Sequence, residues 1–503
     1  MKRMNCLLSQ LLEGRRYDQS GQLDANITGL CLDSRRLEPG DLFFAYPGTQ
    51  LDGRNFFAEV IRKGAAAILF EQKDGVSPND ARIPCIPVPN LAEKMGSIAA
   101  KFYAEPSQKL SVVGITGTNG KTSCAHFLAQ CLQYLRPSCG VLGTLGNGLY
   151  GNLQASTLTT PDALDLQRWF AEFLAEKAKT VVMEVSSHRL AQHQLTGTKF
   201  AVAAFTNLTR DHLDYHRTMA AYAKAKRSLF SLPGVQQVVL NIDDTYGWKW
   251  CSELTGKLPV LAYSIDRDAA KLGKVSAVGV RHYEFTRKGL QADIVTPWGD
   301  MTIENACLLG KFNLSNLLLV VTVLKLLGFS LSEIAKALPQ IKNVPGRLEL
   351  IQVPDKPRVI VDYAHTPDAL QQVLQILRGC CQGKIYCVFG CGGDRDQGKR
   401  ALMGSIAERY ADSLILTNDN PRFEDPQRII AGIKKGLSGA KPEYIEPLRD
   451  KAIAYAIEHA KQTDMVLIAG KGHESYQLIA GTKYPFCDAT EVKRCLGLYT
   501  HDT

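Results

Sequence analysis

The segment Ser111-Val-Val-Gly-Ile-Thr-Gly-Thr-Asn-Gly-Lys-Thr-Ser123 constrains the fold more than any other stretch of the chain. An apolar run enters a glycine-rich loop. Gly-Lys-Thr then opens a segment in which Phe127, Leu128, Cys131, Leu132 and Leu135 recur at helical spacing. Strand, loop and helix in that order are the context that a phosphate-binding loop requires. Glycines let backbone N–H groups converge on phosphate oxygens, and the helix N-terminus adds partial positive charge. Lys121 is placed to reach the β- and γ-phosphates, and Thr122 to ligate Mg²⁺. The glycines fall at Gly114, Gly117 and Gly120, one residue off the common G-x-x-x-x-G-K-[ST] spacing, with Ile115 at the first position. ATP is the expected nucleotide.

A chain of 503 residues, 45% hydrophobic and 22% charged, has room for two to four domains, each with its own core. No apolar run is long enough to span a membrane as a helix. The N-terminal MKRMNCLLSQLLEGRRYD is too interrupted for a secretory signal and reads as an amphipathic first helix. The 14 cysteines are scattered, without a C-x-x-C pair, as reduced thiols in the cytoplasm would be. Net charge is +9, but Lys and Arg are spread evenly and no basic run stands out. Small anionic substrates, or no specific meaning, suit that pattern better than nucleic acid. Neither membrane insertion nor a partner chain is expected, and the chain is read as a monomer.

Three units are expected: 1–108, 109–343 and 344–503. The first mixes strands and helices around the turn-rich block Leu32–Phe44. Tyr103–Lys109 reads as a linker, and Lys342-Asn-Val-Pro-Gly-Arg347 as a second boundary and a hinge. Between and beyond them, candidate strands at 110–115, 180–185, 202–205, 237–241, 358–363, 385–389, 413–417 and 465–469 alternate with helical patterns. That alternation predicts an α/β fold of parallel sheets covered by helices.

Most of these strands run into polar or glycine-rich loops: Glu184–His188, Thr206–His212, Asp362–Pro367, Gly390–Asp396, Asn418–Arg422 and Gly470–Glu474. Ligands in open α/β sheets bind at the carboxyl ends of the strands, so a site shared between two units is expected. Glu184 and His212, each after a strand, suit a divalent ion beside phosphates, although surface or hydrogen-bonded core roles serve them as well. Lys224 and Lys226 lie in a helical pattern that a solvated face would also explain. Arg347 follows a Pro-Gly turn. Arg395 and Arg422 sit among Asp and Gly, where either a substrate carboxylate or a structural ion pair could hold them.

Taken together, these blocks resemble the Mur ligase family over essentially the whole chain, down to the offset of the phosphate loop. Asp33-Ser-Arg35, Thr159-Thr-Pro-Asp162, Glu184–His188, Arg210-Asp-His-Leu-Asp-Tyr-His216, Asp362–Asp368 and Gly390–Asp396 carry the resemblance. It implies three domains, with a central phosphate-loop ATPase domain on a parallel sheet and a Rossmann-like C-terminal domain. The implied reaction is ATP-dependent amide formation in peptidoglycan precursor synthesis, with UDP-N-acetylmuramoyl-L-Ala-D-Glu as acceptor. Asp419-Asn-Pro-Arg422 looks like the mark of members that add meso-diaminopimelate.

The resemblance also implies roles. Gly117, Thr118, Asn119, Gly120, Lys121, Thr122 and Ser123 would hold the ATP phosphates. Asn313 and Asn316 would lie on the adenine side, and Arg347 near ribose and phosphates. Leu32 and Ser34 would approach uracil, and Thr159, Thr160, Ser186, Gln192 and Gln194 would line the muramoyl-peptide path. Thr122, Glu184, His212 and a carbamylated Lys226 would hold Mg²⁺, with Lys121, Glu184, His212 and Lys226 as the catalytic set and His365 assisting. Arg395, Asp419, Asn420, Pro421, Arg422, Gly470 and Glu474 would bind diaminopimelate. The chain departs from the family pattern at Gln194, where relatives commonly have Arg. It departs also at Leu158, where some have Asn, and at Arg189, where Gly is frequent. A lysine-adding ligase, a folylpolyglutamate synthetase and a silent nucleotide-binding regulator are the competing readings.

Overall fold

The structure is a computed structural model and describes residues 5–12, 24–48, 51–72, 82–156, 158–273, 275–286, 289–306, 308–439, 442 and 444–498. Three larger sheets follow one another along the chain. The first holds strands Gly29–Cys31, Asp41–Ala45, Ala67–Glu71 and Cys85–Val88, all parallel and in sequential order. Asp41–Ala45 is buried along its whole length, as a strand covered on both faces should be. Helix Leu91–Phe102 packs Leu91, Met95, Ile98 and Ala99 onto that sheet. Among the described residues the expected first helix is present as Leu8–Leu11, and Cys6–Leu7 pairs with Asn26–Ile27 instead. The rest of that predicted helix, residues 1–4 and 13–18, lies outside the described residues.

The central sheet has eleven strands. The phosphate-loop strand Ser111–Thr116 lies in its middle, flanked by Thr180–Glu184 and Phe200–Phe205. From it the chain runs outward to Cys139–Gly143, returns to fill the gap with Thr180–Glu184, and then continues on the other side. Strand order therefore reverses at the phosphate loop and opens a crevice there. One face carries helices Lys121–Leu135 and Lys311–Leu326, and the other carries Ala163–Ala175, Met219–Arg227 and Thr245–Leu254. Lys311–Leu326 is apolar nearly all round, with Leu314, Leu317–Val321, Val323 and Leu324 fully buried, so it must run inside the fold. Antiparallel strands close both margins: Gly146–Leu149 and Asn152–Gln154 at one, Gly289–Thr296 and Gly299–Asn305 at the other.

The third sheet has six strands in the order Glu349–Ile351, Arg358–Asp362, Met465–Ala469, Ile385–Phe389, Ser413–Leu416, Tyr444–Ile445, parallel except for the first. Helix Pro367–Cys380 begins with Pro in its first turn and with Thr366 accepting from the Ala369 N–H, so its start is encoded locally. All eight predicted strands are present within about two residues of their expected bounds. Among the described residues no helix is long and apolar enough to cross a membrane.

Candidate active site

The phosphate loop is built for close backbone approach. Gly117 and Gly120 have φ of +154° and +85°. A Cβ at Gly117 would overlap Thr206 Oγ1, and one at Gly120 would lie 2.8 Å from Asn316 Oδ1. The end of the neighbouring strand braces the loop. Thr118 N donates to Asn207 O at 2.8 Å, Asn119 N to Asn207 Oδ1 at 2.9 Å, and Thr206 Oγ1 to Asn119 O at 2.6 Å. Lys121 Nζ folds back onto the carbonyls of Gly117 and Thr118, 2.9 Å from each. Burial lowers its pKa, opposed by Glu184 and Asp211.

Glu184 ends its strand fully buried, beside the loop. It accepts from Thr122 Oγ1 at 2.8 Å, from Thr144 N at 2.8 Å and from Thr144 Oγ1 at 3.2 Å. Lys226 is 1% exposed and donates to Gly117 O at 2.7 Å, with its Nζ 4.6 Å from the Tyr222 ring centre. Burial, and after it Lys121, holds its pKa far below that of an ordinary lysine. Lys224, two residues away, is exposed, so the helix separates the two lysines that the pattern alone left open.

His212 takes φ +53° at the start of the short helix Leu213–His216, with Nε2 3.5 Å from Asp211 Oδ2. Burial pushes the imidazole down to about 3, so it is neutral near pH 7, the form a metal needs. Asp211 is also 3.6 Å from His365 Nε2 of the third unit. Burial raises the Asp211 carboxyl, but the imidazoles of His365 and His212 beside it outweigh that and hold it well below the usual carboxylate range. Among the described residues no group of three or more His, Cys, Asp and Glu side chains is gathered around one metal position. The oxygen donors of Thr122 and Glu184 and the neutral His212 nonetheless suit a hard divalent cation beside phosphates.

A cavity of about 940 Å³ opens between this crevice and helix Pro367–Cys380. Asn119, Gly120, Ser123, Asn316 and Arg347 line its phosphate end, and Tyr283, Phe312 and Ile376 give it apolar walls. Asn316 Nδ2 donates to Asn313 Oδ1 at 3.3 Å, and Asn313 Nδ2 to Leu309 O at 2.9 Å, so Asn313 supports the wall from behind. Arg347 lies 4.4 Å from the Tyr363 ring centre, with Nη2 3.4 Å from Thr122 Oγ1.

On the opposite flank, Thr159 Oγ1 is 3.3 Å from Thr144 Oγ1, and Thr160 Oγ1 donates to Glu184 O and accepts from Ser186 N. The Gln194 side chain is turned inward: Oε1 takes the Ala163 N–H at 3.0 Å and Nε2 gives to Gln192 O at 3.1 Å. Arg189 donates to Thr160 O and Gln192 Oε1, which brings a guanidinium to the segment where Gln194 stands in place of an expected Arg. Ser34 is buried and its carbonyl accepts from Lys63 Nζ at 2.7 Å, while Leu32 packs on the N-terminal core.

The third unit gathers the other predicted residues at its strand ends. A Cβ on Gly392 would lie 2.8 Å from Arg422 Nη1 and 3.7 Å from Arg395 Cγ, so the two arginines flank one glycine. Arg422 has φ +53° and donates to Gly393 O at 2.7 Å; Arg395 reaches Asp214 Oδ2 at 3.1 Å. Beside Pro421, Asn420 Nδ2 donates to Glu474 Oε2 at 2.8 Å. Gly470, at φ +117°, leaves 3.2 Å between its would-be Cβ and Asp419 Oδ2. Lys471, fully buried, joins Glu474 Oε2 at 2.8 Å and Asn420 Oδ1 at 3.1 Å. Lys471, Thr144 and Asp211 escaped the sequence reading. Lys471 lies inside Gly470–Glu474, and its burial against Glu474 and Asn420 has no signature in the sequence.

A phosphate loop opening into a two-walled cavity, with a buried lysine and carboxylate at the rim, defines an enzyme that acts on a nucleoside triphosphate. Residues 115–324 match the Mur ligase middle domain, 346–472 the Mur ligase glutamate ligase domain, and 26–103 the Mur ligase catalytic domain. The chain is 45% identical to UDP-N-acetylmuramoyl-L-alanyl-D-glutamate–2,6-diaminopimelate ligase of Coxiella burnetii, over 97% of this chain and 99% of that one. It is 46% identical to the protein of the same name from Pseudomonas aeruginosa, over 95% and 96%. A solved structure of that name superposes with a TM-score of 0.69 at 33% identity, covering 98% of this chain and 99% of the other. The chain belongs to the Mur ligase family, with the three-domain α/β architecture of that family. It is an ATP-dependent ligase.

Proposed function

We propose that this ligase joins meso-diaminopimelate to the γ-carboxylate of D-glutamate in UDP-N-acetylmuramoyl-L-Ala-D-Glu, as a cytoplasmic monomer, with domain edges at 108/109 and 343/344. The observation that carries the reading is the pairing of Arg422 and Arg395 around Gly392, next to Asp419 and Glu474. The far end of meso-diaminopimelate carries both a carboxylate and an ammonium group. The arginines match the first and the acids the second. Lysine lacks that carboxylate and would leave the half-buried Arg422 guanidinium with the Gly393 carbonyl but no carboxylate. The names of the near full-length relatives agree.

In this reading a γ-carboxylate oxygen attacks the γ-phosphorus of ATP, the bond to the β-phosphate oxygen breaks, and an acyl phosphate and ADP form. The amine nitrogen of diaminopimelate then attacks the acyl carbon, the carbon–oxygen bond to phosphate breaks, and the amine proton leaves with inorganic phosphate. Lys121 leaves its loop carbonyls for the transferring phosphoryl group, and Arg347 approaches from the other domain. Asn313 and Asn316 hold the adenine side; Leu32 and Ser34 take the uridine end, and Thr159, Thr160, Ser186, Gln192 and Gln194 the peptide path. Lys226, whose pKa burial lowers, reacts through its deprotonated amine with CO₂: its nitrogen bonds the carbon, releases a proton and becomes a carbamate. Thr122, Glu184, His212 and that carbamate would hold Mg²⁺, which spreads charge on the phosphoryl oxygens.

Phosphate release with ATP, Mg²⁺ and UDP-N-acetylmuramoyl-L-Ala-D-Glu tests the reading. Turnover is expected with meso-diaminopimelate and not with L-lysine. Preference for lysine would overturn the specificity; no turnover with either would overturn the acceptor.

A further inference from the structure

Among the described residues, six buried side-chain nitrogen or oxygen atoms have no hydrogen-bond partner. Three of them are His126 Nε2, Arg347 Nε and His473 Nδ1. Buried polar atoms without partners are uncommon, and three in one neighbourhood call for a shared explanation. They do share a neighbourhood. Arg347 acts electrostatically on both imidazoles, and His126 acts on His473. Tyr363 touches both sides, its ring centre 4.4 Å from the Arg347 guanidinium and 5.2 Å from the His473 ring. A Cβ on Gly346 would overlap His473 N, so the residue before Arg347 is pressed against the loop that carries His473. The three residues come from three places: the phosphate-loop helix, the interdomain connector and the Gly470–Glu474 loop.

The chemistry of the three atoms is complementary. Arg347 Nε is a donor only. Burial brings His126 to about 4 and His473 to about 3, so both rings are neutral and each has one acceptor nitrogen. The loop of His473 has a second attachment, because Lys471 and Glu474 hold Asn420 of the Asp419–Arg422 segment.

We propose that His126 and His473 are positioning residues that fix the Arg347 guanidinium, and that His473 thereby couples the nucleotide cavity to the amino-acid pocket. When Arg347 engages the nucleotide, its Nε–H is held by an imidazole acceptor behind it. That contact settles the Gly470–Glu474 loop, and the loop carries the constraint to Asn420. Occupancy of either site then favours the arrangement that the other site needs, and the coupling is reciprocal. The coupling rests on the reading of Asp419–Arg422 as the amino-acid pocket; the anchoring of Arg347 does not.

Steady-state kinetics on the full-length enzyme test it, using the amino acid that the wild type turns over. If that substrate is lysine, the specificity reading fails while the coupling is still measured. His473→Leu is expected to raise KM for ATP and KM for the amino acid together, each about tenfold, with KM for the UDP-substrate unchanged. His473→Asn, which keeps an acceptor near the Nδ1 position, is expected to restore both to within about threefold. His126→Leu should raise KM for ATP, and His126→Gln, with an acceptor near the Nε2 position, should restore it. A change in only one of the two KM values in His473→Leu would overturn the coupling. Equal damage from Leu and Asn at 473, and from Leu and Gln at 126, would overturn the anchoring role. Should His473→Leu fail to fold, His473→Asn against wild type and the His126 pair decide: unchanged KM for ATP in His126→Leu overturns the proposal.

Discussion

The central domain meets its two neighbours in opposite ways. Against the N-terminal unit the joint is apolar and close. Ala163 and Leu164 belong to the same buried cluster as Leu91, Met95 and Phe102. Gly96 sits so near Thr196 that a Cβ would overlap the Thr196 carbonyl, and a Cβ on Gly197 would lie 2.6 Å from Gly96 O. Against the C-terminal unit the joint is polar and encloses the cavity of about 940 Å³. Arg210 meets Asp396 at 3.0 Å, Arg395 meets Asp214 at 3.1 Å, and Asn119 meets Asp368 at 3.2 Å. Packed backbone resists sliding, whereas exposed ion pairs exchange with water at little cost. The first joint is therefore the stiffer of the two, and the second gives way more readily.

The largest effect should come from a group that faces the polar joint without holding it together. Among the described residues, Lys121 Nζ donates to its own loop carbonyls. Lys121→Ala should lower kcat by about a thousandfold, about 4 kcal/mol, by removing charge stabilisation from the phosphoryl group. Its melting temperature should stay near that of the wild type. A large loss of stability would place Lys121 among the groups that hold the joint.

Gly96→Val tests the other joint. The first added carbon overlaps the Thr196 carbonyl, and the Thr196 hydroxyl lies 3.0 Å away. The expected cost is about 3 kcal/mol, read as a lower midpoint in denaturant unfolding. KM for the UDP-substrate should rise more than KM for ATP. A neutral result would mean that the close joint yields as easily as the polar one.

The two joints also differ in how far the sequence foretold them. The phosphate loop and the strands leading to it were legible, because a glycine-rich turn between an apolar run and a helical pattern has few other uses. Strands Cys139–Gly143 and Gly146–Leu149 were not: Gly140, Gly143, Gly146 and Gly148 break the β pattern, and only the sheet supplies the burial that keeps them extended. In Gly289–Thr296 the alternation of Leu290, Ala292 and Ile294 was present but unread. Glu184 and His212 were placed by strand ends, yet nothing local in the chain announces Thr144, 40 residues away, as the partner of Glu184. Contacts such as His365 with Asp211 join residues 154 apart, and no local pattern encodes them.

Acid should act on the polar joint. His126 is 6% exposed and faces Arg347 and His473 from the C-terminal unit and Tyr150, at 6.0 Å between rings, from its own. Burial holds it at about 4, below the ordinary 6.5. The unfolded chain therefore takes up the proton first. Stability from this residue is constant above about pH 6.5 and falls by up to about 1.4 kcal/mol per pH unit as pH drops toward 4. Unfolding free energies of wild type and His126→Gln, compared across that range, should converge toward acid. A constant difference would mean that the ring protonates freely in the folded protein.

The smallest effect concerns the reciprocal pairs Arg210–Asp396 and Arg395–Asp214. Each runs between the His212 segment and the Gly390–Asp396 loop, and the Arg210 side chain is 47% exposed. Such a pair contributes about 0.2–1 kcal/mol, so Arg210→Glu should raise KM for ATP only a few fold. Asp396→Arg alone should do the same. The double variant Arg210→Glu with Asp396→Arg restores the pair in reverse and should recover most of the loss, a coupling of about 1 kcal/mol. High salt should shrink the difference between single and double variants, because these charges lie within reach of solvent ions. The same salt should leave Gly96→Val as damaged as before. Additive single effects would mean that the polar joint is held by the cavity and its ligand, and that the ion pairs only decorate it.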